Sequence, residues 1–275
     1  MIVLALLLAI PITVGLVQNA LLGAAGRPWR WQIGGHGLPD WIVTVNRVTT
    51  NIGLLGVLVG YPLLRGVGPL AYYRQTLPLA PAWRDFSWGL GAAVLYLSLL
   101  YLAWLQAGLI RCEIRHKAGR LVQRLALVPL TAVVAAFVEE LVFRGALLRG
   151  LLDDLRAGLP AGTAPTVATS VAVLLGALVF AAAHYMRAVK RYWTFPGHVM
   201  LGLLLCVAYV HSGSLWLPLG LHAGGILVLL TLRPFVRYQG PAWLTGASIY
   251  PYAGVVGVAA LGLLTLSVWQ HSMGP

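Results

Sequence analysis

The chain alternates between long apolar stretches and short polar segments. An apolar stretch of about 20 residues is long enough to cross a ~30 Å hydrocarbon core as an α-helix. The pattern therefore predicts an all-α fold, a polytopic transmembrane helix bundle of about eight helices. The predicted spans are residues 2–23, 48–66, 87–109, 126–151, 165–186, 196–211, 214–232 and 249–269.

The predicted spans use most of the 275 residues and leave no segment long enough to fold as a separate soluble domain. We therefore expect residues 1–275 to form a single integral membrane domain. The first span follows Met1 directly, without a positively charged region or a clean small-residue cleavage site, so it predicts a retained helix rather than a removed signal peptide.

Composition supports the same class of protein. Hydrophobic residues make up 59% of the chain and charged residues 9%, whereas soluble domains carry about 25% charged residues. The two cysteines, Cys112 and Cys206, are far apart in sequence and indicate neither a disulfide framework nor a thiolate metal site.

The net charge of +12 does not indicate a nucleic-acid partner, because the basic residues lie between apolar stretches rather than on one face of a folded domain. Three polar loops carry most of this charge, and the positive-inside rule predicts that they are cytoplasmic. We expect a multi-pass protein of a bacterial plasma membrane. The basic residues of these loops are Arg111, Arg115, Lys117, Arg120, Arg124, Arg187, Lys190, Arg191, Arg233 and Arg237.

Two adjacent acids, Glu139 and Glu140, lie inside an apolar run and are followed by Arg144. A charged side chain at the centre of a membrane helix costs roughly 2.5 kcal/mol on insertion scales, so such residues are usually functional. On an ideal α-helix Glu140 and Arg144 lie one turn apart and can form an ion pair, while Glu139 points about 100° away. Glu139 is then a candidate proton acceptor. The alternative is a structural ion pair, with Glu139 lining a water pocket.

Histidines add to this set of polar residues. His184 ends the fifth predicted span, and His222 lies well inside the seventh, where a buried imidazole needs a polar partner. His198, at the edge of the sixth span, is a further supporting candidate. The remaining histidines lie near chain or segment ends, and no role is predicted for them.

Three short motifs in order resemble the CPBP family of intramembrane proteases, which includes the type II CAAX prenyl endopeptidases and the Abi proteins. The motifs are Glu-Glu-x-x-x-Arg at 139–144, Phe-x-x-x-His at 180–184, and a histidine at 222 that follows Ser-Leu-Trp from 214. The resemblance covers about residues 125–230, which we take as the catalytic core.

The resemblance implies a helix bundle that encloses a polar, water-filled cavity. It assigns Glu139 as general base and has His184 share the attacking water. His222 would donate to the oxyanion, and Glu140 and Arg144 would brace the site, with Phe180 in a supporting position. The implied reaction is hydrolysis of a peptide bond in a membrane-embedded, prenylated or otherwise lipidated substrate, without a cofactor.

One position departs from the family pattern. The family usually has asparagine four residues after the last histidine, as a second oxyanion donor, and this chain has Ile226 there. Candidate substitutes are His198, a backbone N–H near Gly224 and Gly225, or Asn51.

Other functions remain open from the sequence. Glu139, His184 and His222 are a possible zinc-ligand set. The position of Ile226 favours a non-catalytic family member that acts in immunity or scaffolding. A buried glutamate pair also suits a proton-coupled transporter, although the matching halves typical of transporters are not evident.

Overall fold

The computed structural model describes residues 2–30, 33, 37–79, 82–114, 117–160, 164–185, 192–246 and 250–272. Of the residues that the structure describes, 81% are helical, which confirms the predicted all-α class. The α-helices are α1 (Ile2–Ala24), α2 (Asp40–Leu64), α3 (Pro69–Arg74), α4 (Ala82–Gln106), α5 (Ala118–Ala126), α6 (Val128–Glu140), α7 (Arg149–Gly158), α8 (Pro165–Tyr185), α9 (Phe195–Ser212), α10 (Trp216–Leu232), α11 (Ala242–Thr245) and α12 (Val255–Ser272). A π-helix spans Leu141–Leu148, and 3₁₀-helices span Tyr192–Thr194 and Pro251–Ala253.

Each of the predicted spans corresponds to a helical segment. Among the described residues, six helical segments are long and apolar enough to cross a membrane: Ile2–Ala24, Asp40–Leu64, Ala82–Gln106, Ala118–Gly158, Pro165–Tyr185 and Phe195–Ser212. Trp216–Leu232 and Val255–Gln270 are apolar but shorter. By length and composition this is an integral, multi-pass membrane protein.

Several helix ends differ from the predicted ones. Helix α2 begins at Asp40, eight residues before the predicted start, because Asp40, Asn46 and Arg47 interrupt the apolar residues of its first turns. Pro39 precedes it with extended dihedral angles, φ −59° and ψ 143°. Helix α12 begins later than predicted, since Pro251–Ala253 forms a separate 3₁₀ turn.

The chain divides into two compact units. The first unit contains residues 1–74 and 142–191, and the second contains residues 75–141 and 192–275. The single-domain organisation inferred from the sequence stays a prediction.

In the first unit, α1 packs against α2, and α7 packs against α8. The buried amides of Gln18 and Asn46 link α1 to α2 through a 2.8 Å hydrogen bond. Gly150 in α7 lies against the hydroxyl of Tyr61, leaving no room for a Cβ atom. This small residue therefore lets the end of α2 approach α7 closely.

In the second unit, α10 packs along α4 on one side and against α6 on another. Glycines make the α4 contact close. A Cβ atom on Gly224 would lie 2.6 Å from the carbonyl oxygen of Leu90, and one on Gly220 would overlap the carbonyl of Phe86. On α4, a Cβ at Gly89 would lie 2.6 Å from the carbonyl oxygen of Leu217. The backbones of α4 and α10 are thus in direct contact, as small residues permit in membrane helices.

The second unit also contains a short antiparallel ribbon that was not predicted. Strand β1 (Ile110–Cys112) follows α4, and strand β2 (Val236–Tyr238) follows α10. Arg111 pairs directly with Arg237 in the register. The ribbon ties together the ends of the two helices that are in closest contact.

Candidate active site

Glu139 and Glu140 are the last two residues of α6, and His222 lies in the middle of α10. Helix α10 uses Gly220 to contact α4. Since each residue turns an α-helix by about 100°, His222 points about 200° away from Gly220. Leu219 and Ala223, about 60° and 100° around the helix from His222 on the same side, pack against Ala136 of α6. The glycine contact with α4 therefore directs His222 towards α6.

The imidazole of His222 lies beside both carboxylates. Its Nδ1 atom is 2.7 Å from Oε1 of Glu140, and its Nε2 atom is 3.7 Å from Oε2 of Glu139. The first distance is that of a charge-assisted hydrogen bond, while the second is too long for a direct one. Two consecutive acids therefore lie near opposite nitrogens of one ring.

The two glutamates differ sharply in how far the protein encloses their side chains. The side chain of Glu140 is 1% exposed, whereas that of Glu139 is 34% exposed. This difference agrees with the expectation that the two acids point in different directions, while their separate roles stay a prediction.

The hydrogen bond to Glu140 fixes the orientation of His222. An ionised carboxylate only accepts hydrogen bonds, so Nδ1 of His222 carries the proton and donates to Glu140. Its Nε2 atom then lies on the Glu139 side of the ring. A carboxylate that orients an imidazole in this way is common at hydrolytic sites.

Ile226 lies one turn after His222 on α10. Its side chain packs against the apolar cluster of Ala136, Leu219 and Ala223. Helix α10 continues without a break through Gly224 and Gly225. At the position where the family usually has an asparagine, this chain therefore has an apolar side chain that packs between α10 and α6.

In the first unit, Phe180 joins Arg144 and His184. Phe180 is fully buried, and the guanidinium carbon of Arg144 lies 4.6 Å from its ring centroid. The imidazole of His184 lies on the same ring at 4.5 Å, and Phe143 packs against it edge-on at 5.2 Å. Phe180 therefore provides a cation–π contact to a fully buried arginine.

His184 also has a defined orientation. Its Nδ1 atom lies 2.8 Å from the carbonyl oxygen of Phe180. Because a carbonyl oxygen accepts, Nδ1 is the protonated nitrogen, and in the neutral ring Nε2 is an acceptor. His184 is half-buried.

Arg144 lies within the π-helix that begins directly after Glu140. The α-helical spacing that suggested a Glu140–Arg144 ion pair therefore does not continue beyond Glu140. Single π-helical segments occur often at functional sites. The ion pair stays a prediction.

His198 lies in the first turn of α9 in the second unit and is buried. Its Nδ1 atom is 3.0 Å from the carbonyl oxygen of Thr194. Tyr250 and Tyr252 pack on its ring edge-on, at 4.5 and 5.5 Å. His198 is thus held in an aromatic environment, and its supporting role at the site stays a prediction. Asn51, another candidate donor, is an exposed residue of α2.

The structure thus brings the predicted residues together in two groups. Glu139, Glu140 and His222 meet in the second unit, and Arg144, Phe180 and His184 meet in the first. That His184 and Glu139 share a water stays a prediction. Among the residues the structure describes, no group of three His, Cys, Asp or Glu side chains could hold a metal ion.

Sequence reasoning missed two supporting features. It did not identify Phe143 as part of the aromatic contact, nor Gly220 and Gly224 as the residues that direct His222. The Gly-x-x-x-Gly spacing at 220–224 was the available signal for the second feature. Nothing in the local pattern marked Phe143.

The fold and these buried polar groups define a multi-pass helical membrane protein with an acid–histidine cluster. Residues 121–227 match a family model described as Type II CAAX prenyl endopeptidase Rce1-like. This match runs from α5 into α10, includes all of the predicted site residues and confirms the resemblance found in the sequence. Comparison with curated proteins and with solved structures gave no match. The matched family model describes an endopeptidase, so the match supports a hydrolase at the level of the family.

Proposed function

We propose that this protein is an intramembrane endopeptidase that cleaves a membrane-embedded or lipidated substrate with a water activated by glutamate and histidine. The observation that carries the proposal is the position of His222 between the carboxylates of Glu139 and Glu140. The family match supports a prenylated peptide as the substrate class, because its description names a prenyl endopeptidase.

Glu139 is the general base of this mechanism. The side chain of Glu139 is 34% exposed, which allows water to approach it, whereas the side chain of Glu140 is enclosed. Glu139 takes a proton from water, and the resulting hydroxide attacks the carbonyl carbon of the scissile bond. The same carboxyl group later returns the proton to the leaving nitrogen as the C–N bond breaks.

His222 stabilises the negative charge that develops on the carbonyl oxygen. With Nδ1–H donated to Glu140, a donor at Nε2 requires the imidazolium form, and the carboxylate of Glu140 stabilises that positive charge. Glu140 is thus a positioning residue that acts through His222. Removing one oxyanion donor typically costs ~10²–10³ in rate.

His184 and Arg144 take the roles that the family resemblance assigns to them. His184 shares the attacking water, for which an acceptor at Nε2 is suitable. Arg144 braces the site, held by its contact with Phe180. No metal ion is needed for these steps.

The substrate class is tested with the purified protein in proteoliposomes and two synthetic peptides. Both end in the same CAAX sequence, and one carries a prenyl group on the cysteine. We expect cleavage of the prenylated peptide only, read by mass spectrometry of the products. Equal cleavage of both peptides would refute a requirement for the prenyl group but would still show that the protein is a protease. Cleavage of neither peptide would contradict the proposed activity.

The metal-free mechanism is tested separately. If Glu139, His184 and His222 instead hold zinc, a strong chelator will abolish cleavage and added zinc will restore it. We expect cleavage to be unchanged by the chelator, and the purified protein to contain no stoichiometric zinc.

A non-catalytic role is the second candidate, and Ile226 is the observation that favours it. Its apolar contact with Ala136 leaves no amide at that position. A wild-type protein that binds the prenylated peptide but never cleaves it would support this alternative.

We further propose that the basic loops face the cytoplasm of a bacterial cell. Cys112 is exposed and lies in one of these loops, whereas Cys206 is buried. A membrane-impermeant maleimide should therefore label Cys112 in broken cells but not in intact spheroplasts. Labelling of Cys112 in intact spheroplasts would show the opposite orientation, with the basic loops outside the cytoplasm.

A further inference from the structure

Helix α5 (Ala118–Ala126) is a surface helix with a charged side. At about 100° per residue, Arg120, Gln123 and Arg124 fall within one arc of about 100°. None of the helix residues is buried. Both arginines of α5 are therefore available to a partner on the outside of the protein.

The opposite side of α5 is apolar. Leu121 and Leu125 are half-buried, and α5 packs on α6. Val122, on this apolar side, is 66% exposed, and Leu127, the residue directly after α5, is 61% exposed. The helical segment that is long and apolar enough to cross a membrane runs from Ala118 through α6, which begins at Val128. An amphipathic helix next to a span, with apolar residues exposed, is typical of one that lies in the membrane interface.

The ribbon of β1 and β2 adds further positive charge in the same unit. Arg111 and Arg237 are directly paired and exposed, and the carboxylate of Glu113 lies 3.8 and 3.6 Å from their guanidinium groups. One acid therefore faces two arginines. Ala118 follows Cys112 by six positions in the sequence, so β1 and the start of α5 lie within about 20 Å of one another.

We call the exposed basic residues of α5, of the ribbon and of the segments next to them the basic surface. They all lie in the second unit, and Glu113 is the acid beside them among the described residues. The basic surface consists of Arg111, Lys117, Arg120, Arg124, Arg233 and Arg237.

We propose that the basic surface binds the headgroups of anionic phospholipids, with Arg120 and Arg124 as principal contacts. Guanidinium groups bind phosphate oxygens in a two-point geometry, and each basic residue near an anionic leaflet contributes to binding. The apolar side of α5 favours a lipid over a soluble anion, because it enters the acyl region beneath the headgroups. This binding does not depend on the proposed proteolysis. It fixes the membrane depth at which the α6 helix begins.

Cys112 allows a local measurement. It is exposed in β1, next to the basic surface, whereas Cys206 is buried, so a fluorophore can be attached selectively at Cys112. The labelled full-length protein is reconstituted in phosphatidylcholine vesicles that contain a nitroxide-labelled lipid, with the nitroxide near the headgroup. Quenching by labelled phosphatidylglycerol relative to labelled phosphatidylcholine gives the preference for the anionic lipid.

The test variant is Arg120→Gln with Arg124→Gln, and the matched control is Arg84→Gln with Arg156→Gln, which removes the same charge from exposed arginines elsewhere. We expect the preference to fall about fivefold per arginine in the test variant and to stay near the wild-type value in the control. Raising the salt concentration should also weaken the wild-type preference. Circular dichroism verifies that both variants keep their helix content.

The proposal is overturned if the test variant keeps the wild-type preference, or if the control loses as much. A further measurement adds inorganic phosphate to the wild-type protein at the concentration of the labelled lipid. Displacement of phosphatidylglycerol by phosphate would mean that the surface binds a free anion, which would also overturn the proposal.

Discussion

His222 Nδ1 lies 2.7 Å from Oε1 of Glu140, and both side chains are buried. The two residues come from different helices, separated by 82 positions. Such a bond sets the tautomer of the imidazole and places its Nε2 atom towards Glu139. In the proposed mechanism, this pair makes Glu140 the residue that orients His222 and leaves Glu139 as the base.

This separation predicts different effects for two isosteric substitutions. Glu139→Gln should lower the cleavage rate by about 10²–10⁴-fold, as expected for a lost general base, with little change in thermal stability. Glu140→Gln should lower the rate as well and also cost about 1–3 kcal/mol of stability, because it removes a buried charged partner of His222. Cleavage assays and thermal unfolding in detergent measure the two effects.

Asp40→Asn is the control for these substitutions, since it neutralises an exposed acid in the first turn of α2. It should leave both the rate and the stability near wild-type values. Equal loss of stability in Glu139→Gln and Glu140→Gln would show that the two acids are not distinct.

The close packing of α10 on α4 predicts that two glycine substitutions in α10 differ in their effect on stability. Gly220→Ala places a methyl group on the carbonyl of Phe86 and should destabilise the protein by about 1–3 kcal/mol, while also misplacing His222 and slowing cleavage. Gly225→Ala is the matched control in the same helix, because nothing lies within 4 Å of its Cβ position. It should be neutral or slightly stabilising, by up to about 1 kcal/mol, since alanine favours helix over glycine. Similar melting temperatures for the two variants would contradict the proposed contact.

Ile226→Asn tests whether the missing amide limits the reaction. The substitution puts a polar group into an apolar cluster and should cost about 1–3 kcal/mol of stability. If the amide reaches the oxyanion, kcat should rise by as much as about 10²-fold with little change in KM. Ile226→Val keeps the apolar contact and should leave kcat unchanged. A lower kcat in Ile226→Asn would show that isoleucine is the functional residue there.

Phe180→Leu tests the contact between Arg144 and His184. The substitution keeps an apolar side chain but removes the aromatic face, so we expect a loss of about 1–2 kcal/mol in stability. Phe143→Leu should cost less through this contact, because the guanidinium lies 5.9 Å from the Phe143 ring and 4.6 Å from the Phe180 ring. Chemical unfolding measures the free energy of unfolding of both variants. A larger loss of stability in Phe143→Leu than in Phe180→Leu would refute the cation–π contact.

The sequence was sufficient for the helices because each apolar stretch is long enough to span a membrane. It was less informative about the helix ends, as the first turns of α2 from Asp40 show, in which polar and apolar residues are mixed. Strands β1 and β2 have three residues each, too few to produce a readable alternation. The π-helix at Leu141–Leu148 has the same apolar composition as an α-helix, so no pattern distinguished it.

The candidate site was predictable in part for a different reason. Glu139, Glu140 and His222 could be singled out, because charged and polar side chains are costly inside apolar helices. Their mutual contact could not be read from spacing, since it joins α6 to α10. The spacing pointed to Arg144 as the partner of Glu140, and the structure adds His222.

The most direct test of the proposed mechanism is cleavage of the prenylated peptide in H₂¹⁸O. The purified wild-type protein should yield a product whose new carboxyl group contains one ¹⁸O atom, and Asp40→Asn should do the same. Glu139→Gln and His222→Ala should yield product at least 10²-fold more slowly. Undiminished product formation by Glu139→Gln, or none by the wild type, would contradict a water activated by Glu139.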